Sequence, residues 1–196
     1  MPRTLSVVAV TSLVALSLAA CTAATPTTPP GGDPQSTAGG APTNVARGPL
    51  PSCDEVTAAI GALPGPLVFN ADASETQTTP EAYDQRVCVY TNADGSSQVG
   101  VTIAAIPFQQ TEIDHYMTLP NAIADDRLEQ YEAVLQTLAT GDGDDGHLDS
   151  PLYLFDVDYS ITIQAISLGE PLATVLPDLS VETAADAAFA VRELLS

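Results

Sequence analysis

Between positions 22 and 51 the chain carries seven Pro, five Gly, six Thr and one Ser, so 19 of 30 positions are loop formers. Only Asp33 and Arg47 are charged there. A segment this poor in apolar side chains cannot offset the entropy of ordering its backbone, and it is expected to stay extended and disordered. As a flexible linker of this length it spans about 30 Å. Folding is thereby confined to residues 52–196, long enough for one domain with its own core.

What precedes the linker is expected to be an address. Residues 1–20 contain one basic side chain, Arg3, then the apolar run LSVVAVTSLVALSLAA. A charged start, a short apolar stretch and a small-residue end are the parts of an export signal, removed on maturation. The end, Leu18-Ala19-Ala20-Cys21, resembles a bacterial lipobox. That resemblance implies cleavage before Cys21 and a diacylglycerol thioether on its sulfur. It places the mature protein at the extracytoplasmic face of the cell membrane, held by its N-terminal lipid. Two acyl chains, each methylene contributing about 0.8 kcal/mol, meet the requirement for stable anchoring.

The chain has three Cys. With Cys21 lipidated, Cys53 and Cys88 remain, and export delivers them to an oxidising compartment where a disulfide persists. Charge narrows the partners. Five Lys+Arg face 25 Asp+Glu, the formal net charge is -20, and every basic residue is Arg. A nucleic-acid backbone would be repelled, so no nucleic acid is expected as partner. The absence of lysine excludes a P-loop, a Schiff base and a Ser/Lys dyad.

Ser52-Cys53-Asp54-Glu55 is a capping box opening a short helix, with Val56, Ala59 and Ile60 at helical spacing and Gly61 at its end. Thr79-Pro80-Glu81 suits one helical turn. Residues 86–91 and 98–106 read as strands about the turn Asn92-Ala93-Asp94-Gly95. Thr111-Glu112-Ile113 opens a helix that stops before Pro120. A longer helix is predicted over residues 122–140, with Ala124, Leu128, Tyr131, Leu135 and Leu138 as its apolar stripe. A second hairpin, residues 152–155 and 159–167, turns at Asp156-Val157-Asp158. Ser180 caps a last helix whose stripe includes Val181, Ala184, Ala185, Ala188, Val191 and Leu195. The expected class is α+β: an antiparallel sheet of two hairpins with helices packed on one face.

The lipobox, the Thr/Pro/Gly linker, Ser52-Cys53 opening a helix to Ile60-Gly61, and Arg86-Val87-Cys88-Val89-Tyr90 opening a hairpin together resemble the small actinobacterial cell-envelope lipoproteins of an uncharacterised two-cysteine domain family. The more usual pattern there has Trp where Tyr90 stands. The resemblance implies a lipid-anchored envelope domain and no particular activity.

Chemistry-bearing constellations are sparse. His115 and His147 lie outside any nucleophile motif, and two isolated His do not make a zinc site. Asp125, Asp126, Glu129 and Glu132 read as an acidic helical face, solvated or offered to a basic partner. The loop Asp142-Gly143-Asp144-Asp145-Gly146-His147-Leu148-Asp149 has the oxygen chemistry of a calcium loop in Asp142, Asp144, Asp145 and Asp149. Its Asp-Gly step comes a residue early for an EF-hand and no Glu stands at position twelve, so turn chemistry is the expectation and no metal is favoured. The whole reads as a binding or interaction module for an envelope protein or small ligand, without cofactor, rather than an enzyme. Two alternatives stand beside it: a carrier of a lipid or other apolar ligand, and a hydrolase using an unidentified carboxylate pair. A sizeable apolar cavity would favour the carrier.

Overall fold

The computed structural model describes residues 48–78, 84–138 and 146–196. Residues 1–47, with the expected export signal, Cys21 and most of the expected linker, lie outside it, as do the helical turn expected at Thr79-Pro80-Glu81 and Asp142, Asp144 and Asp145.

The first helix, α1 (Cys53–Ile60), starts as its capping box dictates. Ser52 Oγ accepts from Glu55 N at 3.3 Å, and Glu55 accepts from Ser52 N at 2.7 Å. Gly61, at φ +57°, ends it in a conformation that side chains resist. The strands are β1 (Val68–Phe69), β2 (Glu75–Thr78), β3 (Asp84–Thr91), β4 (Ser97–Ala104), β5 (Ala122–Ile123), β6 (Val134–Thr137), β7 (Leu152–Phe155) and β8 (Ser160–Ser167). They form one antiparallel sheet in the order β1-β3-β4-β8-β7-β6-β5, with β2 also paired to β3. Between them run α2 (Gln110–Tyr116) and α3 (Leu128–Tyr131), and after them α4 (Leu172–Val175) and α5 (Val181–Glu193). This is an α+β fold.

Both expected hairpins are present, β3–β4 and β7–β8, and the β4–β8 ladder joins them. Asn92 Oδ1 accepts from Ser97 N and Asp94 Oδ1 from Ser96 N, which closes the first turn around Gly95 at φ +72°. Alternation puts Cys88 and Tyr90, Val99, Val101 and Ile103, and Ile161 and Ile163 on one face. Against that face pack Val56 and Ile60 of α1 and Ala184, Ala188 and Val191 of α5. Burying each large aliphatic side chain stabilises by roughly 1.5–3 kcal/mol, so this layer dominates folding. Across it the Cys53–Cys88 disulfide ties the start of α1 to mid-β3, with Cα atoms 5.5 Å apart.

Two expectations are corrected. Residues 122–140 are not one helix. The stripe has helical spacing, but α3 lasts one turn and ends at Glu132, which takes the left-handed conformation at φ 49°. Val134–Thr137 then form β6, paired with both β7 and β5. Val134 and Leu135 are each 1% exposed, one on each face of the sheet. A strand buried on both sides loses its period of two, and its apolar run then mimics a helix.

Nor do the helices share one face. Ile113 of α2 packs with Val134 and Phe155, whose neighbours Leu135 and Leu154 point to the main core. By alternation α2 lies on the opposite face, where Phe108, Tyr116, Tyr153 and Val157 complete a small second core. Tyr116 meets Phe155 edge-on at 5.0 Å between ring centroids, a favoured aromatic geometry.

Candidate functional site

After α1 the chain turns through Leu63-Pro64-Gly65-Pro66 and cannot continue as a helix. Opposite it, Pro171 precedes the short α4 and Pro177 follows it, so residues 176–180 reach α5 as an irregular strap. The strap is held from below: Leu148 N donates to Leu179 O, and His147 Nε2–H to Leu176 O at 3.1 Å. Ser180 then caps α5, its Oγ accepting from Thr183 N at 3.0 Å.

These three pieces enclose a groove of about 870 Å³. One wall is the α1 end with its proline turn, including Ile60 and Leu63; the other is the end of α4 at Val175 and the strap with Leu179. The floor belongs to α5, which contributes Thr183, Asp186, Ala187 and Ala190. Those positions fall at i, i+3, i+4 and i+7, a stripe beside the Ala184, Ala188 and Val191 face buried on the sheet, with the buried Ala187 at the border between the two. Small side chains there leave room where leucines would have filled it. Gly65 also matters: at φ +57°, an added Cβ would stand 3.2 Å from Leu176 Cδ2. Lining is mostly apolar, and the volume is within the range of small-molecule sites.

A second hollow of about 560 Å³ adjoins the first, with Pro66 and Val175 walling both. Its character is different. Asn92, Asp94, Ser96, Ser97, Ser167 and Glu170 give it a mixed lining beside Leu67 and Leu168. Hydrogen bonds from Ser96, its backbone N–H first, hold the Asp94 carboxyl below its ordinary pKa. Among the described residues, neither His nor Cys nor Arg lines either hollow.

The sequence-derived candidates lie elsewhere. Cys53 and Cys88 act as a staple of the fold, Cys88 being fully buried. Asp149 is exposed, with its Oδ1 3.4 Å from His147 Nδ1. No group of three or more His, Cys, Asp or Glu able to hold a metal ion occurs among the described residues. Asp125, Asp126, Glu129 and Glu132 do not share a helical face, because α3 begins after the first two and ends before the last. Asp125 is instead bound by Arg127 through Nε at 2.8 Å and Nη2 at 2.6 Å, which lowers its pKa. Arg127 Nη1 reaches Asp186 at 2.8 Å and the guanidinium lies 4.1 Å over the Phe189 ring. His115 is exposed near the end of α2.

Sequence reasoning missed the groove. Its only trace was the second stripe of small residues on α5, indistinguishable from ordinary alanine-rich helix. Comparison with protein-family models, with curated proteins and with solved structures finds no match to this chain.

Proposed function

We propose that this chain is a lipid-anchored envelope protein whose folded domain binds an apolar ligand in the groove between α1 and α5. The reading of its location rests on the charged and apolar residues 1–20, on the lipobox spelling around Cys21, and on the Pro/Thr/Gly linker that would hold the domain off the bilayer as a disordered tether. The Cys53–Cys88 bridge supports export, since such bonds persist outside reducing compartments. This makes it kin in design to the two-cysteine actinobacterial lipoproteins that its sequence resembles.

The observation that carries the binding reading is the 870 Å³ apolar groove itself. A flat exposed patch would have favoured a docking module; a mostly apolar hollow of this size suits a carrier or sensor of an apolar molecule. With no His or Cys in its lining among the described residues, binding is the chemistry this site supports.

The test is a polarity-sensitive fluorescent probe titrated into the mature protein. Saturable one-to-one enhancement is expected, lost in Ala190→Trp, which fills the floor from a half-buried position, while circular dichroism stays unchanged. Absence of any saturable enhancement in the wild type overturns the reading.

A further inference from the structure

We infer that the occupant of the groove is a cationic amphiphile, its apolar chain lying between α1 and α5 and its amine head in the adjoining hollow near Asp94 and Glu170. The inference rests on the groove being a binding site, as proposed above, and specifies what it selects.

The two hollows differ in chemistry and share walls. Pro66 and Val175 border both, which sets the polar hollow beside the β3–β4 turn next to the apolar groove. A purely apolar ligand would leave that polar end unused. A head group there meets carboxylate acceptors, while several of the local donors are already committed. Ser96 N donates to Asp94 Oδ1 at 2.9 Å, and Ser97 N to Asn92 Oδ1 at 3.1 Å. Asn92 Nδ2 donates to Ser96 Oγ at 3.0 Å, Gly95 N to Asn92 O at 3.1 Å, and Leu168 N to Ser96 O at 2.7 Å. The Ser97 and Ser167 hydroxyls bond each other at 3.0 Å. Two exposed carboxylates, those of Asp94 and Glu170, line the hollow beside these bonds and offer acceptor oxygen.

Charge argues the same way. Asp178 and Asp186 add two more acids to the apolar groove, and Asp186 alone of the two has a described arginine against it. No Arg lines either hollow among the described residues, and Arg127 and Arg192 are committed to Asp125, Asp186 and Asp156. The one helix N-terminus at the groove, that of α5, has its Thr183 N–H taken by Ser180 Oγ and is flanked by Asp178 and Glu182. A fatty-acid carboxylate would enter a field of like charge with no Arg or His among the described lining residues to receive it, on a chain of net charge -20. An ammonium head is attracted at both stages, on approach and when seated.

The experiment compares three probes of equal chain length on the mature protein, each below its micelle-forming concentration: dodecyltrimethylammonium, dodecyl maltoside and laurate. Calorimetry is expected to show dodecyltrimethylammonium binding at least tenfold more tightly than laurate. Asp94→Asn combined with Glu170→Gln should cut that ratio to threefold or less and leave maltoside affinity unchanged. Glu112→Gln with Asp114→Asn, the same charge change on α2 across the sheet, should leave the ratio intact. Equal or tighter binding of laurate overturns the inference, as does an α2 control that erodes the ratio as much as the site variant, which would assign the preference to the overall field. If none of the three probes binds, the groove reading itself fails.

Discussion

Arg192 of α5 and Asp156 of the β7–β8 turn form a buried ion pair, Nε donating to Oδ2 at 2.5 Å across 36 residues of sequence, with side chains 15% and 3% exposed. Asp156 Oδ1 meanwhile accepts from Asp158 N and Tyr159 N, so one carboxylate both shapes the turn and receives the helix. The guanidinium lies 5.3 Å from the Tyr131 ring and 5.4 Å from that of Tyr159. A single arginine thus joins α5, α3 and the second hairpin.

Removing one partner of such a pair leaves the other charged and desolvated. Asp156→Ala is expected to cost about 3–5 kcal/mol, and Arg192→Ala a similar amount. Urea denaturation measures both. The double variant should lose less than the sum of the two, because neither charge is then stranded.

The Asp125–Arg127 contact makes a statement about pH. Hydrogen bonds from Arg127 depress the Asp125 pKa in the folded protein below its unfolded value of about 3.9. A depressed carboxylate contributes stability that is present above the unfolded pKa and is lost as pH falls through the folded one. Asp125→Asn should therefore lower the melting temperature at neutral pH. The gap to wild type should narrow only below about pH 4. A gap independent of pH down to acid unfolding would contradict this.

Opening the Cys53–Cys88 bridge should destabilise by about 3–4 kcal/mol, from the entropy of a loop spanning 35 residues. Cys53→Ala with Cys88→Ala tests it by denaturation. Intact-mass measurement of alkylated, exported wild type should find neither thiol free.

Anchoring is tested at Cys21. Cys21→Ala should move the protein from the membrane fraction to the medium or stop its maturation. Unchanged membrane retention, with an unmodified N-terminal peptide, would remove the lipid anchor from the proposed function.

Several elements were legible because their signals are local. Ser52 and Glu55 lie three residues apart and make the α1 cap whatever surrounds them, and Ser180 does the same for α5. Asn92 to Gly95 close a turn with their own side chains, and the alternation of Val99, Val101 and Ile103 follows from a strand with one buried face. The Cys53–Cys88 pairing followed from counting thiols and from the expected compartment.

Tertiary structure decided what local chemistry leaves degenerate. The stretch around Val134 and Leu135 fits a helix by spacing and a two-sided buried strand by composition; only the presence of β7 and β5 beside it selects the strand. The face chosen by α2 depends on Phe155 and Val134 offering it an apolar seat. Asp156 finds Arg192, and Pro66 comes to face the strap before α5, through packing between segments far apart in the chain. The groove is the clearest case. Alanines at 187 and 190 read alike whether they pack against a neighbour or border an opening, since a small side chain carries no record of what stands across from it. Caps, turns and alternation are settled by interactions within a few residues; a cavity is settled by where other elements stop.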